Sequence, residues 1–299
     1  MKHPPPGTLL IIGGAEDKQE TCQILREFVR QAGGMNAHIA VLTAATSLPR
    51  EVGKDYIHVF ERLGAKAVHI VHTETRDDAD RADVLETLQQ ATGIFFTGGD
   101  QRRLIELIKD TRADRLIHER CQAGVIVAGT SAGAAIMPDV MIEQGDSTTN
   151  PRPETVEMGP GLGFLPDIVI DQHFSQRGRL GRLLTALVLE PSVLGLGIDE
   201  DTAILIQGNE FEVIGSGAIT VVDESDSGYN NLDQLLHDED LAVFGVKLHV
   251  LPNGYRFDLA HRKPIRPKEG SGLRRERAST PRLELEPKAE RSPNVSAER

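Results

Sequence analysis

The sequence predicts an α/β domain built on a mostly parallel sheet, with helices on both faces and antiparallel strands extending it in the C-terminal half. Three observations carry this. From Thr8 to about Val127, short apolar runs alternate with longer amphipathic stretches, the rhythm of strand, crossover helix and parallel strand. The runs are not interrupted by polar residues, which is how a strand reads when both its faces are buried. After Pro138 the rhythm changes to shorter, alternating runs separated by turn residues, the pattern of antiparallel strands.

In order, Leu9-Leu10-Ile11-Ile12 is the first strand, stopped by Gly13-Gly14, and residues 21–29 form the first amphipathic helix. The strand Ile39-Ala40-Val41-Leu42 leads to a helix over 56–63, and Ala67-Val68-His69-Ile70-Val71 to a helix over 79–89. Ile94-Phe95-Phe96 precedes two helices, over 101–108 and 113–123, and Val125-Ile126-Val127-Ala128 closes the parallel series. A Gly/Pro-rich stretch over 151–166 separates this half from the strand Ile168-Val169-Ile170 and a helix over 178–189. Strands over 194–198, 203–206, 211–214, 218–222 and 243–250 complete a single domain, expected to span residues 1–260.

The 299 residues carry a formal net charge of −12, unevenly distributed. Residues 261–299 hold 11 Lys and Arg against 6 Asp and Glu, leaving 22 against 39 in residues 1–260. An acidic body is unsuited to a nucleic-acid backbone, and the basic, proline-containing tail reads as a disordered extension. No apolar run approaches the roughly 18 residues of a membrane span. The opening residues lack a secretory leader, so a cytoplasmic protein is expected. Cys22 and Cys121 sit on separate expected helices without a C-x-x-C or a histidine at ligand spacing, and support neither a disulfide framework nor a zinc site.

In an open parallel sheet, ligands bind beyond the carboxyl ends of the strands. The strongest signal there is Gly129-Thr130-Ser131-Ala132-Gly133, which follows a strand and opens a helix of small residues. The glycines permit a sharp turn that projects the Ser131 hydroxyl, while the Ala132 N–H at the helix start faces a developing oxyanion. The plainer reading is a serine that caps a helix. A serine hydroxyl is a weak nucleophile, so the first reading requires a histidine base and a carboxylate to orient it.

Of ten histidines, His58 and His118 fall on helices, His38, His69 and His249 at or within strands, His3 and His261 lie toward the chain ends, and His237 is in a polar loop. His72 and His173 follow strands, and His173 is preferred because its strand comes soon after the serine turn. For the carboxylate, Asp199-Glu200-Asp201 offers three acids between two strands. The residues alone do not choose among them, and a solvated acidic turn is the alternative. Paired glycines in Thr97-Gly98-Gly99-Asp100-Gln101 expose backbone N–H groups, which makes Gly99 a second candidate oxyanion donor. Arg177, Arg179 and Arg182 open the helix after His173, where positive charge is unfavourable. They read either as a fork for a substrate carboxylate or as a solvated face pairing with the acidic body.

With these motifs the chain resembles the cyanophycinase and dipeptidase E group of serine peptidases, most closely the cyanophycinases, over about residues 7–260. The resemblance is carried by Gly13-Gly14-Ala15-Glu16-Asp17-Lys18, Phe95-Phe96-Thr97-Gly98-Gly99-Asp100-Gln101, the serine turn, Asp171-Gln172-His173-Phe174 with its three arginines, and Gly197-Ile198-Asp199-Glu200-Asp201-Thr202-Ala203. It implies a flavodoxin-like fold of the class I glutamine amidotransferase kind, with Ser131 as nucleophile, His173 as base and Glu200 as third member. It also implies hydrolysis of cyanophycin, a poly-aspartate chain bearing arginine on each β-carboxyl, to β-aspartyl-arginine dipeptides, by a homodimer without metal or cofactor. On this resemblance Arg177, Arg179 and Arg182 hold substrate carboxylates, and Gln101, Asp171 and Gln172 line the pocket. Neither nucleic acid nor membrane is an expected partner. Two other readings stay open: an aspartyl or isoaspartyl dipeptidase with the same triad, and a catalytically silent binding protein on this fold.

Overall fold

Side chains alternate across a strand, and in the first strand Leu9 and Ile11 enter one buried layer while Leu10 and Ile12 enter another, all at 0% exposure. The computed structural model that defines these layers describes residues 7–146, 150–226, 228–236 and 239–267. From residue 268 on, the expected disordered tail lies outside the described residues, as do His3 and His237.

In chain order the N-terminal half runs β1 (Leu9–Ile12), α1 (Gln23–Gln31), β2 (His38–Leu42), α2 (Pro49–Arg62), β3 (Ala67–Val71), α3 (Ala82–Gln90), β4 (Gly93–Phe96), α4 (Gln101–Ile108), α5 (Arg112–Gln122), β5 (Ile126–Thr130) and α6 (Ala132–Ala135). It continues with β6 (Val140–Gly145), β7 (Val156–Pro160), β8 (Ile168–Gln172), α7 (Leu180–Leu189), β9 (Leu194–Ile198), β10 (Thr202–Gln207), β11 (Glu210–Gly215) and β12 (Ala218–Asp223). β13 (Tyr229–Asn230), β14 (Val243–Phe244), β15 (Lys247–Pro252), β16 (Arg256–Asp258) and β17 (Lys263–Ile265) follow.

The main sheet has nine strands in the order β17-β16-β11-β10-β1-β5-β4-β2-β3. Its β1, β5, β4, β2 and β3 pair in parallel, and β10, β11, β16 and β17 extend it antiparallel. α1 and α2 cover one face through Leu25, Phe28, Tyr56 and Phe60. α3, α4 and α5 cover the other through Val84, Leu88, Leu104, Ile108 and Ile117. The α/β class with a parallel core and antiparallel additions is therefore the observed one.

Not all later strands join that sheet. β8, β9, β12 and β15 build a second, four-stranded sheet in which β8 and β9 are parallel. One of its faces, with Ile168, Ile170, Leu196, Ile198 and Val221, shares the core used by α3 to α5. The opposite face, with Val169 and Val222, packs on Leu183, Ala186 and Leu187 of α7. β9 reads Leu-Gly-Leu-Gly-Ile because its leucines face the shared core while its glycines leave room for α7 and for Phe174: a β-carbon on Gly197 would lie 2.5 Å from the Phe174 ring.

Other elements depart from expectation. The stretch over 151–166 contributes β7, which forms a hairpin with β6; its Pro and Gly content hides a strand whose ladder does not depend on apolar alternation. α2 starts at Pro49, a residue suited to a first helical turn, earlier than the expected 56. The expected strand over 243–250 is divided into β14 and β15. The sheet also continues past residue 260, because β17 pairs with β16 and Arg262 holds the buried Asp223 at 2.6 Å. Among the described residues, no helix is long and apolar enough to cross a membrane.

Candidate active site

β5 ends at Thr130 and α6 starts at Ala132, so Ser131 makes the turn between them, at φ 53° and ψ −111°. A non-glycine residue in such a region costs roughly 1–3 kcal/mol and persists only where its surroundings fix it. Here its N–H donates to the Ile12 carbonyl at 3.0 Å, and its carbonyl accepts from the Ala134 and Ala135 N–H groups at 2.9 and 3.0 Å. The flanking glycines allow close packing of the turn: a β-carbon on Gly129 would lie 2.1 Å from the Gly133 carbonyl oxygen, and one on Gly133 would lie 2.4 Å from that of Phe96. The Ser131 side chain makes no capping hydrogen bond to α6. Instead its Oγ lies 2.9 Å from His173 Nε2.

His173 follows β8 in a left-handed conformation, φ 48°, with its N–H on the Gly13 carbonyl at 2.9 Å. Its ring fills the space where Gly14 has no side chain: a β-carbon there would sit 2.4 Å from Cε1 and 2.5 Å from Nε2. On the other side, Nδ1 lies 2.6 Å from Glu200 Oε1. A carboxylate only accepts, so Nδ1 carries the hydrogen and Nε2 is left to accept from the serine hydroxyl. Burial holds the imidazole below the ordinary histidine value; the bond to Glu200 opposes this, and the positive charges of Arg177 and Arg179 reinforce it. His72, the other strand-end candidate, lies at the end of β3 and meets Thr43 Oγ1 at 3.2 Å.

The three acids have separate tasks. Asp199 accepts from the Ser175 and Ala218 N–H groups at 3.0 and 3.1 Å, and Asp201 Oδ1 accepts from the Asp17 N–H at 2.9 Å. Glu200 is the one that reaches the imidazole, with its own N–H on Gln176 Oε1 at 3.1 Å. The turn at Gly98 and Gly99 abuts the serine, since a β-carbon on Gly98 would lie 3.2 Å from Ser131 Cβ. Ala132, fully buried, opens α6 on the serine's other side.

The arginines divide into two groups. Arg182 and Arg179 are each 6% exposed, so neither belongs to a solvated helix face. Arg182 forks onto Asp171, Nε to Oδ2 at 2.7 Å and Nη2 to Oδ1 at 2.5 Å, and donates to the Gly145 carbonyl at 3.1 Å. Arg179 donates to Asp171 Oδ1 and Gln172 Oε1, both at 3.2 Å, and to the Gln172 carbonyl; burial pulls it down to about 10. All three nitrogens of Arg182 are thus engaged within the protein, so it is not an open fork awaiting a ligand, whereas Arg179 bonds through Nη1 and keeps a buried Nε without a hydrogen-bond partner. Arg177 is exposed, near enough for its charge to act on His173, and among the described residues its guanidinium has no carboxylate partner. Gln101 ties α4 to β6 through its Nε2 and the Glu143 carbonyl, 2.5 Å apart. Among the described residues, no group of three or more His, Cys, Asp or Glu is placed to hold a metal ion.

The fold thus joins Ser131, His173 and Glu200 in one hydrogen-bonded line, with Gly98 and Ala132 beside the serine, Gly99 packed on the Ala45 carbonyl, and the Asp171 cluster on the strand that leads to the histidine. Sequence reasoning did not anticipate that Gly14 makes room for the imidazole. The available signal was a glycine pair at a strand end with no phosphate-binding pattern to explain it.

Residues 9–214 match peptidase family S51. The chain is 40% identical over 256 residues to a cyanophycinase of Trichormus variabilis, covering 85% of this chain and 86% of that protein. It is also 40% identical over 267 residues to a cyanophycinase of Geminocystis herdmanii, covering 89% of this chain and 98% of that one. Among solved structures, a peptidase from an acI-B1 Actinobacterium aligns with a TM-score of 0.62 at 19% identity, over 86% of this chain and 98% of that chain. At that identity the likeness is one of fold.

Proposed function

The chain belongs to peptidase family S51, and from that premise we propose that this peptidase is a cyanophycinase, releasing β-aspartyl-arginine dipeptides from the polymer. The observation that carries the reading is the line from Glu200 through His173 to a serine held on a strained turn. Ser131 Oγ attacks the backbone carbonyl carbon and His173 Nε2 takes its proton, while Glu200 stabilises the imidazolium. The Ala132 and Gly99 N–H groups are the proposed donors to the oxyanion. When the tetrahedral intermediate collapses, the C–N bond breaks and the imidazolium gives its proton to the departing amine. A water activated by the same imidazole then hydrolyses the acyl-enzyme and restores Ser131.

Of the residues expected to meet substrate, Arg177 is best placed to take a carboxylate. Asp171, Gln172, Arg179 and Arg182 form a hydrogen-bonded cluster on either side of it in the chain, and with Gln101 they are the proposed pocket residues. A homodimer, which the family resemblance implies, completes the proposal. Insoluble cyanophycin incubated with the enzyme is expected to yield soluble β-aspartyl-arginine, read by mass spectrometry. Release of nothing from the polymer alongside turnover of free aspartyl dipeptides would replace this reading with the dipeptidase one.

A pH profile tests the base. With His173 held below its ordinary value of 6.5, the acid limb of kcat/KM is expected to have its midpoint below that value, because the imidazole must be neutral to accept the proton. Arg177→Gln removes a positive charge that disfavours the imidazolium, so its limb is expected to move up. An unmoved midpoint in this variant would remove Arg177 from the electrostatics of the base.

A further inference from the structure

Several buried carboxylates stand outside the mechanism, and one of them, Glu16, adjoins the serine turn. Glu16 has a side chain 1% exposed and lies in the loop that follows β1. Its Oε2 accepts from the Thr130 hydroxyl at 2.5 Å, and its Oε1 accepts from the Tyr56 hydroxyl at 2.5 Å and from Lys18 Nζ at 2.9 Å. Burying a charge is unfavourable unless it is paired and hydrogen-bonded, and an apolar contact would serve simple packing. The placement of this charge is therefore informative: Thr130 is the residue before the serine turn.

The same loop reaches the other two members of the line. The Gly13 carbonyl accepts from the His173 N–H and the Gly14 carbonyl from the Asp201 N–H, each at 2.9 Å. The Asp17 N–H donates to Asp201 Oδ1 at 2.9 Å, beside Glu200. Gly14 and Ala15 both have positive φ, 99° and 48°, a course that the surrounding contacts must sustain. Residues 13–17 therefore touch the supports of the serine, the histidine and the glutamate, which come from three separate strand ends.

We propose that Glu16 is a positioning residue: through Thr130 it holds the serine turn in register with His173, using the loop over 13–17 as the common frame. This deepens the reading of Ser131 as nucleophile and rests on it. Glu16 touches no reacting atom, and its effect is to keep the Ser131 hydroxyl aligned with Nε2 for proton transfer.

The test uses a fluorophosphonate, which bonds to an activated serine through phosphorus as fluoride leaves, and so reads Ser131 reactivity without assuming any peptide substrate. Thr130→Val, which keeps the shape and removes the hydroxyl, is expected to slow this reaction about tenfold to a hundredfold. On cyanophycin it should lower kcat with KM held within about twofold. Thr130→Ser should restore most of the rate. Glu16→Gln should slow it similarly, and the double variant Glu16→Gln/Thr130→Val should be little slower than either single one, because both break the same linkage. Should Glu16→Gln fail to fold, Thr130→Val carries the test, since it leaves the carboxylate with Lys18 and Tyr56. A folded Thr130→Val enzyme reacting at the wild-type rate overturns the proposal, as would fully additive losses. Failure of the wild type to react overturns the nucleophile reading and this proposal together. Normal reagent behaviour with no cleavage of the polymer overturns only the choice of substrate.

Discussion

Replacing Ser131 by alanine is expected to lower kcat on cyanophycin by roughly six orders of magnitude, with thermal stability close to that of the wild type. Stability is spared because the turn is held by backbone bonds and by glycine packing, not by the hydroxyl: the Ile12 carbonyl still receives the residue's N–H, and alanine has the same β-carbon in the same backbone conformation. The loss is large because no acyl-enzyme forms without the nucleophile. His173→Ala is expected to be nearly as severe, and the double variant hardly worse than either, since the base has no function without the hydroxyl it deprotonates. Active-site-depleted enzyme at matched concentration is compared with wild type by product release and by thermal melts. Turnover within tenfold of wild type in Ser131→Ala would end the proposed mechanism.

Arg182→Gln is expected to destabilise the fold by about 3–5 kcal/mol, because it leaves Asp171 buried with only Arg179 as a weaker partner. For a domain of this size that lowers the melting temperature by on the order of 10 °C. The geometry supports the large value: the fork on Asp171 is two-pronged, and its third arm reaches the Gly145 carbonyl, so one side chain joins α7, β8 and β6. Arg182→Lys should recover only part of the loss, as an ammonium cannot fill both arms of a fork. Arg177→Gln on the same helix approach should leave the melting temperature within about a degree, its charge being exposed. Equal, small shifts in both variants would show that the Asp171 cluster is not a structural tie.

The sequence by itself determined what depends on neighbours along the chain. Unbroken apolar runs such as Leu9–Ile12 can be satisfied only between two covering layers, which specifies a parallel sheet with helices on both sides. Gly129 and Gly133 around Ser131 mark a strand-to-helix turn because the constraint is local, and the Asp171-Gln172-His173-Phe174 motif stands at the end of a strand for the same reason. The tertiary structure decided what depends on segments distant in sequence. Which of Asp199, Glu200 and Asp201 meets the imidazole follows from how the loop between β9 and β10 lies across β8, where Asp199 and Asp201 are engaged by backbone N–H groups. That Arg179 and Arg182 are buried on Asp171, although three arginines near a helix start read as surface or ligand-facing, depends on packing around β8, where Arg182 also meets Gly145 of the β6–β7 hairpin. Placing β8 and β9 in a second sheet likewise needs α7 on one face and the main core on the other. A residue's type and immediate neighbours state what it can pair with; only packing brings the partner within 3 Å and removes the water that would otherwise take its place.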